Sequence, residues 1–179
     1  MRIIAGSLKG RRLEAPTWPG LRPTSDKLRE TLFNVLQGRL PGARVLDAFA
    51  GTGAVGIEAL SRGAAHVTFV ERDARARALI AANLARCGVP GEGGGYTIER
   101  GSAEDVLSRL EPVYDVVFLD PPYDEPDLAA AVTLGAALLA EGGICVLEHA
   151  SRRAAPEAAG IAPGRRLVAG DSALAFYGR

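Results

Sequence analysis

Cysteine, tryptophan and methionine are nearly absent from this chain: two, one and one among 179 residues. Cys87 and Cys145 form no CxxC pair and have no histidine cluster beside them. A disulfide framework and a zinc site are therefore not expected, and free thiols in a reducing cytosol are. Histidine is as scarce. His66 precedes a strand, His149 follows one, and neither has a metal partner in sequence, so no metal is expected. Net charge is also missing, since 21 basic residues balance 21 acidic ones. That balance excludes a polybasic coat binding any nucleic acid, though not a local basic face. No apolar run reaches the length of a membrane span. The opening Met1-Arg2-Ile3-Ile4-Ala5-Gly6 is too short for a signal core, which makes the cytoplasm the default.

What is present is an ordinary globular composition, 47% apolar, and one compact unit is expected. From Arg44 onward, short β-rich runs alternate with longer helical ones. The expected strands are Arg44–Asp47, His66–Val70, Tyr96–Arg100, Val113–Asp120 and Gly143–Glu148. Between them lie helical stretches over Gly53–Ser61, Ala74–Arg86, Ala103–Leu110 and Asp127–Ala140, with Asp73 and Ser102 placed as caps. This alternation implies right-handed crossovers and a parallel sheet. Arg165–Ala169 and Ala173–Tyr177 around Gly170-Asp171 read as a closing hairpin, which adds an antiparallel strand. The fold class is thus α/β and mostly parallel. Residues 41–179 form the main body and residues 1–40 an N-terminal extension. Gly88–Gly95 is a loop within the body.

In the extension, Arg2–Ala5 and Arg11–Ala15 flank a glycine-bounded turn and are expected to pair. Ser25 or Thr24 then caps a helix with Leu28, Leu32, Val35 and Leu36 on one face. Arg2, Lys9, Arg11, Arg12, Arg22, Lys27 and Arg29 oppose only Glu14 and Asp26, a local excess of five positive charges on a neutral chain. Lys9, Arg11, Arg12 and Arg22 are the candidate phosphate contacts. Such contacts supply affinity and salt dependence without sequence choice. Trp18, in a Pro/Gly stretch, reads as a packing residue more readily than as a stacking one. Glu30 and Asn34 are candidates for a site or for plain helix surface.

The first strand of the body runs into Asp47-Ala48-Phe49-Ala50-Gly51-Thr52-Gly53-Ala54-Val55-Gly56. Its GxGxxG spacing fits a nucleotide-type cofactor, and Glu71, twenty residues after Gly51, is placed to hold ribose hydroxyls. A dinucleotide would set its pyrophosphate against Asp47 as a like charge. The sulfonium and ammonium groups of S-adenosylmethionine favour that carboxylate instead. Gly101-Ser102-Ala103 leaves room for adenine. The candidate cofactor set is Asp47, Phe49, Gly51, Gly53, Glu71, Arg72, Ser102 and Ala103. Arg72, Arg75 and Arg77 also read as a solvated helix face.

Asp120-Pro121-Pro122-Tyr123 closes the apolar run Val116-Val117-Phe118-Leu119. Ligands of open α/β sheets bind at such strand ends. Two prolines fix φ and remove local donors, leaving backbone carbonyls as placed acceptors. The tyrosine offers a flat ring. Together they suit a planar group with an exposed amino nitrogen, and the tetrapeptide is similar to the motif of methyltransferases acting on exocyclic or amide nitrogen. Asp120, Pro121 and Tyr123 are the candidate catalytic residues.

Taken together, Met1–Gly6, Lys9-Gly10-Arg11, Arg22-Pro23-Thr24, Arg29-Glu30, Leu32-Phe33-Asn34, Asp47 to Gly56, Glu58 to Ala64 and Phe69-Val70-Glu71 resemble the bacterial RsmD-type methyltransferases. The resemblance spans nearly the whole chain, more weakly after Ala150. It implies a Rossmann-like class I fold with seven strands and S-adenosylmethionine as donor, leaving S-adenosylhomocysteine. It further implies methylation of guanine N2 in small-subunit (16S) ribosomal RNA; a monomer is the separate expectation for the chain. The residues alone leave open adenine N6, cytosine N4 or a glutamine amide as target. A nicotinamide-dependent oxidoreductase is the reading from a different class.

Overall fold

The computed structural model describes residues 1–19, 25–91, 95–158 and 161–178. Arg22 and Thr24 lie outside the described residues. Five strands alternate with helices: β1 (Arg44–Asp47), α2 (Ala54–Ser61), β2 (His66–Glu71), α3 (Ala74–Arg86), β3 (Tyr96–Arg100), α4 (Ala103–Leu107), β4 (Tyr114–Leu119), α5 (Leu128–Ala137) and β5 (Leu139–Ala150). Before them comes α1 (Asp26–Leu36); after them, β6 (Arg165–Ala169) and β7 (Ser172–Gly178). The sheet order is β3-β2-β1-β4-β5-β7-β6. The first five strands are parallel; β7 inserts antiparallel between β5 and β6. The order reverses beside β1 and β4, which puts the topological switch point at their carboxyl ends.

Successive strand residues face opposite sides, and both sides are covered. Val45, Val67, Phe69, Val116, Phe118 and Val146 pack with α1, α2 and α3. Leu46, Val70, Val117, Leu119, Cys145 and Leu147 pack with α4 and α5. This two-sided burial is why the strands read as continuous apolar runs. Helix α2 lies flush on the sheet because Gly56 has no side chain: a Cβ there would sit 2.2 Å from a Phe69 ring carbon.

The expected helix over Asp127–Ala140 ends earlier. Leu138 caps α5, and Leu139 already pairs with Tyr114 before the register shifts to Val116 opposite Ile144. Residues Ala140–Gly143 form the intervening bulge; Gly142 takes φ +72° there, a conformation glycine adopts without strain. The expected strand start at Gly143 is therefore only the regular part of β5.

The N-terminal pairing is a single bridge, Arg2 opposite Arg12, flanked by Ile3 N–H to the Arg11 carbonyl at 3.0 Å and Leu13 N–H to the Met1 carbonyl at 3.1 Å. It goes no further because the Ile4 and Ala5 N–H groups donate to the buried Glu58 carboxylate of α2, at 2.7 and 3.0 Å. Ser25 caps α1 by accepting the Leu28 N–H at 3.2 Å. Leu28, Leu32, Phe33 and Leu36 are buried, each worth about 1.5–3 kcal/mol of apolar transfer. Val35, expected on that face, is half-buried. Arg29, counted in the basic run, is fully buried. Its guanidinium donates to the Arg2 carbonyl and to Asp26, at 2.7 and 2.8 Å. Burial lowers its pKa, and Asp26 and Glu58 oppose that shift. It ties α1 to the N-terminal segment and contributes no surface charge.

Candidate active site

A cleft of about 980 Å³ opens over the carboxyl ends of β1, β2 and β4. Its lining includes Asp47, Phe49, Gly51, Glu71, Arg72, Ser102, Ala103, Asp120, Pro121 and Tyr123. Gly53 is not in the lining. It is the N-cap of α2 at φ +76°, and a Cβ there would crowd Ile80 at 3.2 Å. Lys9, Arg11 and Arg12 are exposed and none of them lines the cleft.

Both carboxylates at the glycine loop are held by backbone. One Glu71 oxygen accepts the Gly51 N–H at 2.9 Å and the other the Asp73 N–H at 2.8 Å. Each oxygen retains a lone pair, enough to accept a diol. Asp47 is buried and accepts the Gly56 N–H at 3.0 Å. Burial pushes its carboxyl up to about 7; the Gly56 N–H opposes the rise and the Glu71 charge adds to it. This shift favours the folded chain at low pH, a contribution present below the ordinary carboxylate range and lost as pH rises through about 7. Ser102 caps α4, its hydroxyl accepting the Asp105 N–H at 3.1 Å.

The Asp120–Tyr123 turn forms the adjoining wall. Asp120 and Tyr123 are half-buried and Pro121 is buried. Of the two carbonyls expected as placed acceptors, that of Pro122 accepts the Glu125 N–H at 2.9 Å. Among the described residues no donor reaches the Pro121 carbonyl, which leaves it as the turn's acceptor. Tyr123 is tethered through its hydroxyl to Ser172, 2.5 Å away.

Several residues in or beside the lining were not expected there from the sequence. Trp18 lies in the wall with Arg75 stacked over its ring at 5.1 Å. Arg75 also pairs with Asp73 at 2.7 Å, a hydrogen bond that holds the Asp73 carboxyl down at about 2. Arg77 donates to the Glu71 and Arg72 carbonyls at 3.0 and 2.7 Å, closing the end of β2. Arg72 and Arg75 are exposed, as expected of a solvated face, and both also line the cleft. Glu148 and Ser172 come from the far side of the sheet; only the strand order brings them here. Ten carboxyl side chains and two guanidinium groups, Arg72 and Arg75, line the described cleft. Such a surface favours a cationic ligand and repels phosphate. Among the described residues no group of three His, Cys, Asp or Glu is disposed to hold a metal, and no helix is long and apolar enough to cross a membrane.

The sheet order, the glycine loop after β1, the carboxylate ending β2 and the Asp-Pro-Pro-Tyr turn after β4 define the Rossmann-like class I methyltransferase fold. Solved structures share it. That of yhhF from Escherichia coli superposes with a TM-score of 0.86 at 36% identity, covering 100% of this chain and 97% of its own. A hypothetical protein of Thermus thermophilus gives 0.81 at 34% identity, covering 98% of both chains. The chain belongs to the RsmD-type family, whose family model, described as Conserved hypothetical protein 95, matches residues 1–178. Ribosomal RNA small subunit methyltransferase D of Escherichia coli strain K12 is 36% identical over 182 residues, covering 100% of this chain and 90% of its own.

Proposed function

We propose that this protein transfers the methyl group of S-adenosylmethionine to the exocyclic N2 of a guanine in small-subunit (16S) ribosomal RNA. The observation that carries the reading is the single acidic cleft joining Asp47 and Glu71 to the Asp120–Tyr123 turn. Its excess of carboxylates suits a donor bearing sulfonium and ammonium groups. Glu71 would hold the ribose hydroxyls, Asp47 the methionine end, and Ser102 and Ala103 the adenine side, with Phe49, Gly51 and Arg72 completing the wall. When bound, the donor supplies an electrophilic methyl to an attacking nitrogen. Ribosomal RNA as substrate rests on the full-length relative's name, and guanine N2 on the family resemblance.

The target amino group is a poor nucleophile because its lone pair is delocalised into the ring. Hydrogen bonds from its N–H groups to the Asp120 carboxylate and the Pro121 carbonyl localise that pair and offset positive charge developing on nitrogen. Tyr123 stacks on the base and fixes its plane. Asp120 or water takes the proton released. The acidic cleft keeps phosphates out, so a base splayed from its stack enters alone. The decisive experiment is methyl transfer to small subunits from a strain lacking its own enzyme, followed by mapping of the modified nucleotide. Transfer to DNA or protein with none to ribosomal RNA would overturn the reading. Calorimetric binding of NADH but not of S-adenosylmethionine would replace it with an oxidoreductase.

Donor binding gives a pH test. A cationic ligand favours ionised Asp47, whose carboxyl sits at about 7 in the free cleft. Donor affinity is expected to fall about tenfold per pH unit below 7 and to level off above it. Asp47→Asn should weaken binding at pH 8 and flatten the profile. A profile unchanged by that substitution would separate Asp47 from the donor.

The RNA contacts extend beyond the cleft. Arg11 reaches the Arg86 carbonyl at 3.4 Å, about 18 Å along α3 from its cleft end at 1.5 Å per residue. On this reading the substrate runs down this flank, which asks for a folded RNA rather than a short oligonucleotide. Replacing Arg11 and Arg12 by alanine should weaken RNA binding and reduce the salt slope by about one for each phosphate set free. Retained affinity and slope would make Lys9, Arg11 and Arg12 a solvated face, leaving Arg22 as the untested member of the set.

A further inference from the structure

The aromatic wall of the cleft is held from β7 and from the turn after β5. Tyr123 follows two prolines in a segment without regular structure, so nothing in its own backbone ladder fixes the ring. Its hydroxyl lies 2.5 Å from Ser172 Oγ. Ser172 opens β7 and is paired on both sides, with Ala150 of β5 and Ala169 of β6, so its position is set by two ladders. A second tie reaches the same segment. Arg153, in the turn after β5, donates to the Tyr123 carbonyl at 3.3 Å and to the Glu125 carbonyl at 2.7 Å. The Ser151 N–H donates to the Asp171 carbonyl at 2.8 Å, and Arg166 of β6 to the Ser151 carbonyl at 2.5 Å. The turn after β5, the β6–β7 turn and the Asp-Pro-Pro-Tyr segment are thus one hydrogen-bonded unit.

We infer that Ser172 is a positioning residue for the transfer reaction, fixing the Tyr123 ring in the pose that receives the target base. Arg153 is its partner and sets the backbone of the same segment. The inference rests on the methyltransferase reading and deepens it. It also gives the antiparallel β6–β7 hairpin a role: inserting β7 beside β5 carries a hydroxyl to the cleft rim. A ring tethered by its para oxygen keeps both faces clear for stacking while losing its freedom to rotate away before the substrate arrives.

The test is a double-mutant cycle on Ser172→Ala and Tyr123→Phe, with donor binding measured separately. Each single variant should lose about three- to tenfold in kcat/KM for the RNA substrate, the worth of one hydrogen bond, with donor affinity unchanged. The double variant should be no worse than either single one. Ser172→Thr, which keeps the hydroxyl and suits a strand, should restore the rate. The tether is also readable without turnover. In protein labelled with 3-fluorotyrosine, the Tyr123 fluorine resonance, identified by its loss in Tyr123→Phe, should shift and narrow in Ser172→Ala but not in Ser172→Thr. An active wild type with unchanged Ser172→Ala kinetics, or with losses that multiply in the double variant, overturns this role alone. Wild-type protein inert toward RNA while the fluorine shift persists overturns the methyltransferase reading and the role with it.

Discussion

Asp120→Ala is expected to abolish methyl transfer, with a loss on the order of 10²–10⁴ in kcat, while donor affinity stays within a few-fold. The two halves of that outcome separate because of where the residue stands. The donor contacts proposed for Asp47 and Glu71 lie on β1 and β2, each held by its own backbone donors. Asp120 belongs to the wall formed by the turn after β4. Removing its carboxylate removes the acceptor that localises the nitrogen lone pair and the charge that offsets the alkylated amine, and both effects appear only as the bond forms. Asp120→Asn keeps one acceptor oxygen but replaces the charge with a donor that opposes the substrate N–H, so it should be impaired severely, though less than alanine. Single-turnover transfer and equilibrium donor binding are the two measurements. Equal losses in both would make Asp120 a structural end to β4 and move the chemistry elsewhere.

The share of this arrangement legible in the sequence follows from the range over which each feature is determined. Arg44–Asp47, Ala74–Arg86 and Tyr96–Arg100 have the same bounds in sequence and structure, since apolar runs, Asp73 and flanking glycines specify them locally. That Asp47, Glu71, Ser102 and Asp120 meet in one cleft was readable as well, because parallel strands bring successive carboxyl ends together. What escaped depends on distant partners. A bulge held by Tyr114 and two glycines moved the start of β5. Arg29 read as surface charge and is buried, since its guanidinium finds the Arg2 carbonyl 27 residues away. Ser172 meets Tyr123 across 49 residues, through a strand insertion that hairpin chemistry at Gly170-Asp171 does not announce.

Glu58 is the other such residue, and Glu58→Ala should be the most destabilising of these substitutions, at about 3–5 kcal/mol. The side chain is fully buried. It accepts N–H bonds from Ile4 and Ala5, and its Oε1 also accepts from Arg62 Nε at 2.8 Å. The Arg62 guanidinium in turn stacks on Phe33 of α1, 4.9 Å from the ring centroid. One carboxylate therefore joins the N-terminal segment, α2 and α1. Alanine would leave two backbone donors and a largely buried guanidinium unsatisfied together, which is where the large cost arises. At roughly 2–4 °C per kcal/mol for a chain of this size, Tm should fall by roughly 6–20 °C. Adding Arg62→Ala should recover part of the loss, because no unpaired charge then remains inside. Since Ile4 and Ala5 lead directly to Lys9, Arg11 and Arg12, protease should cut the first fifteen or so residues of the variant before the body unfolds, and RNA affinity should fall before donor affinity does. A loss below about 1 kcal/mol, or cleavage no earlier than in wild type, would mean that apolar packing of Ile3 and Leu13 alone seats the segment.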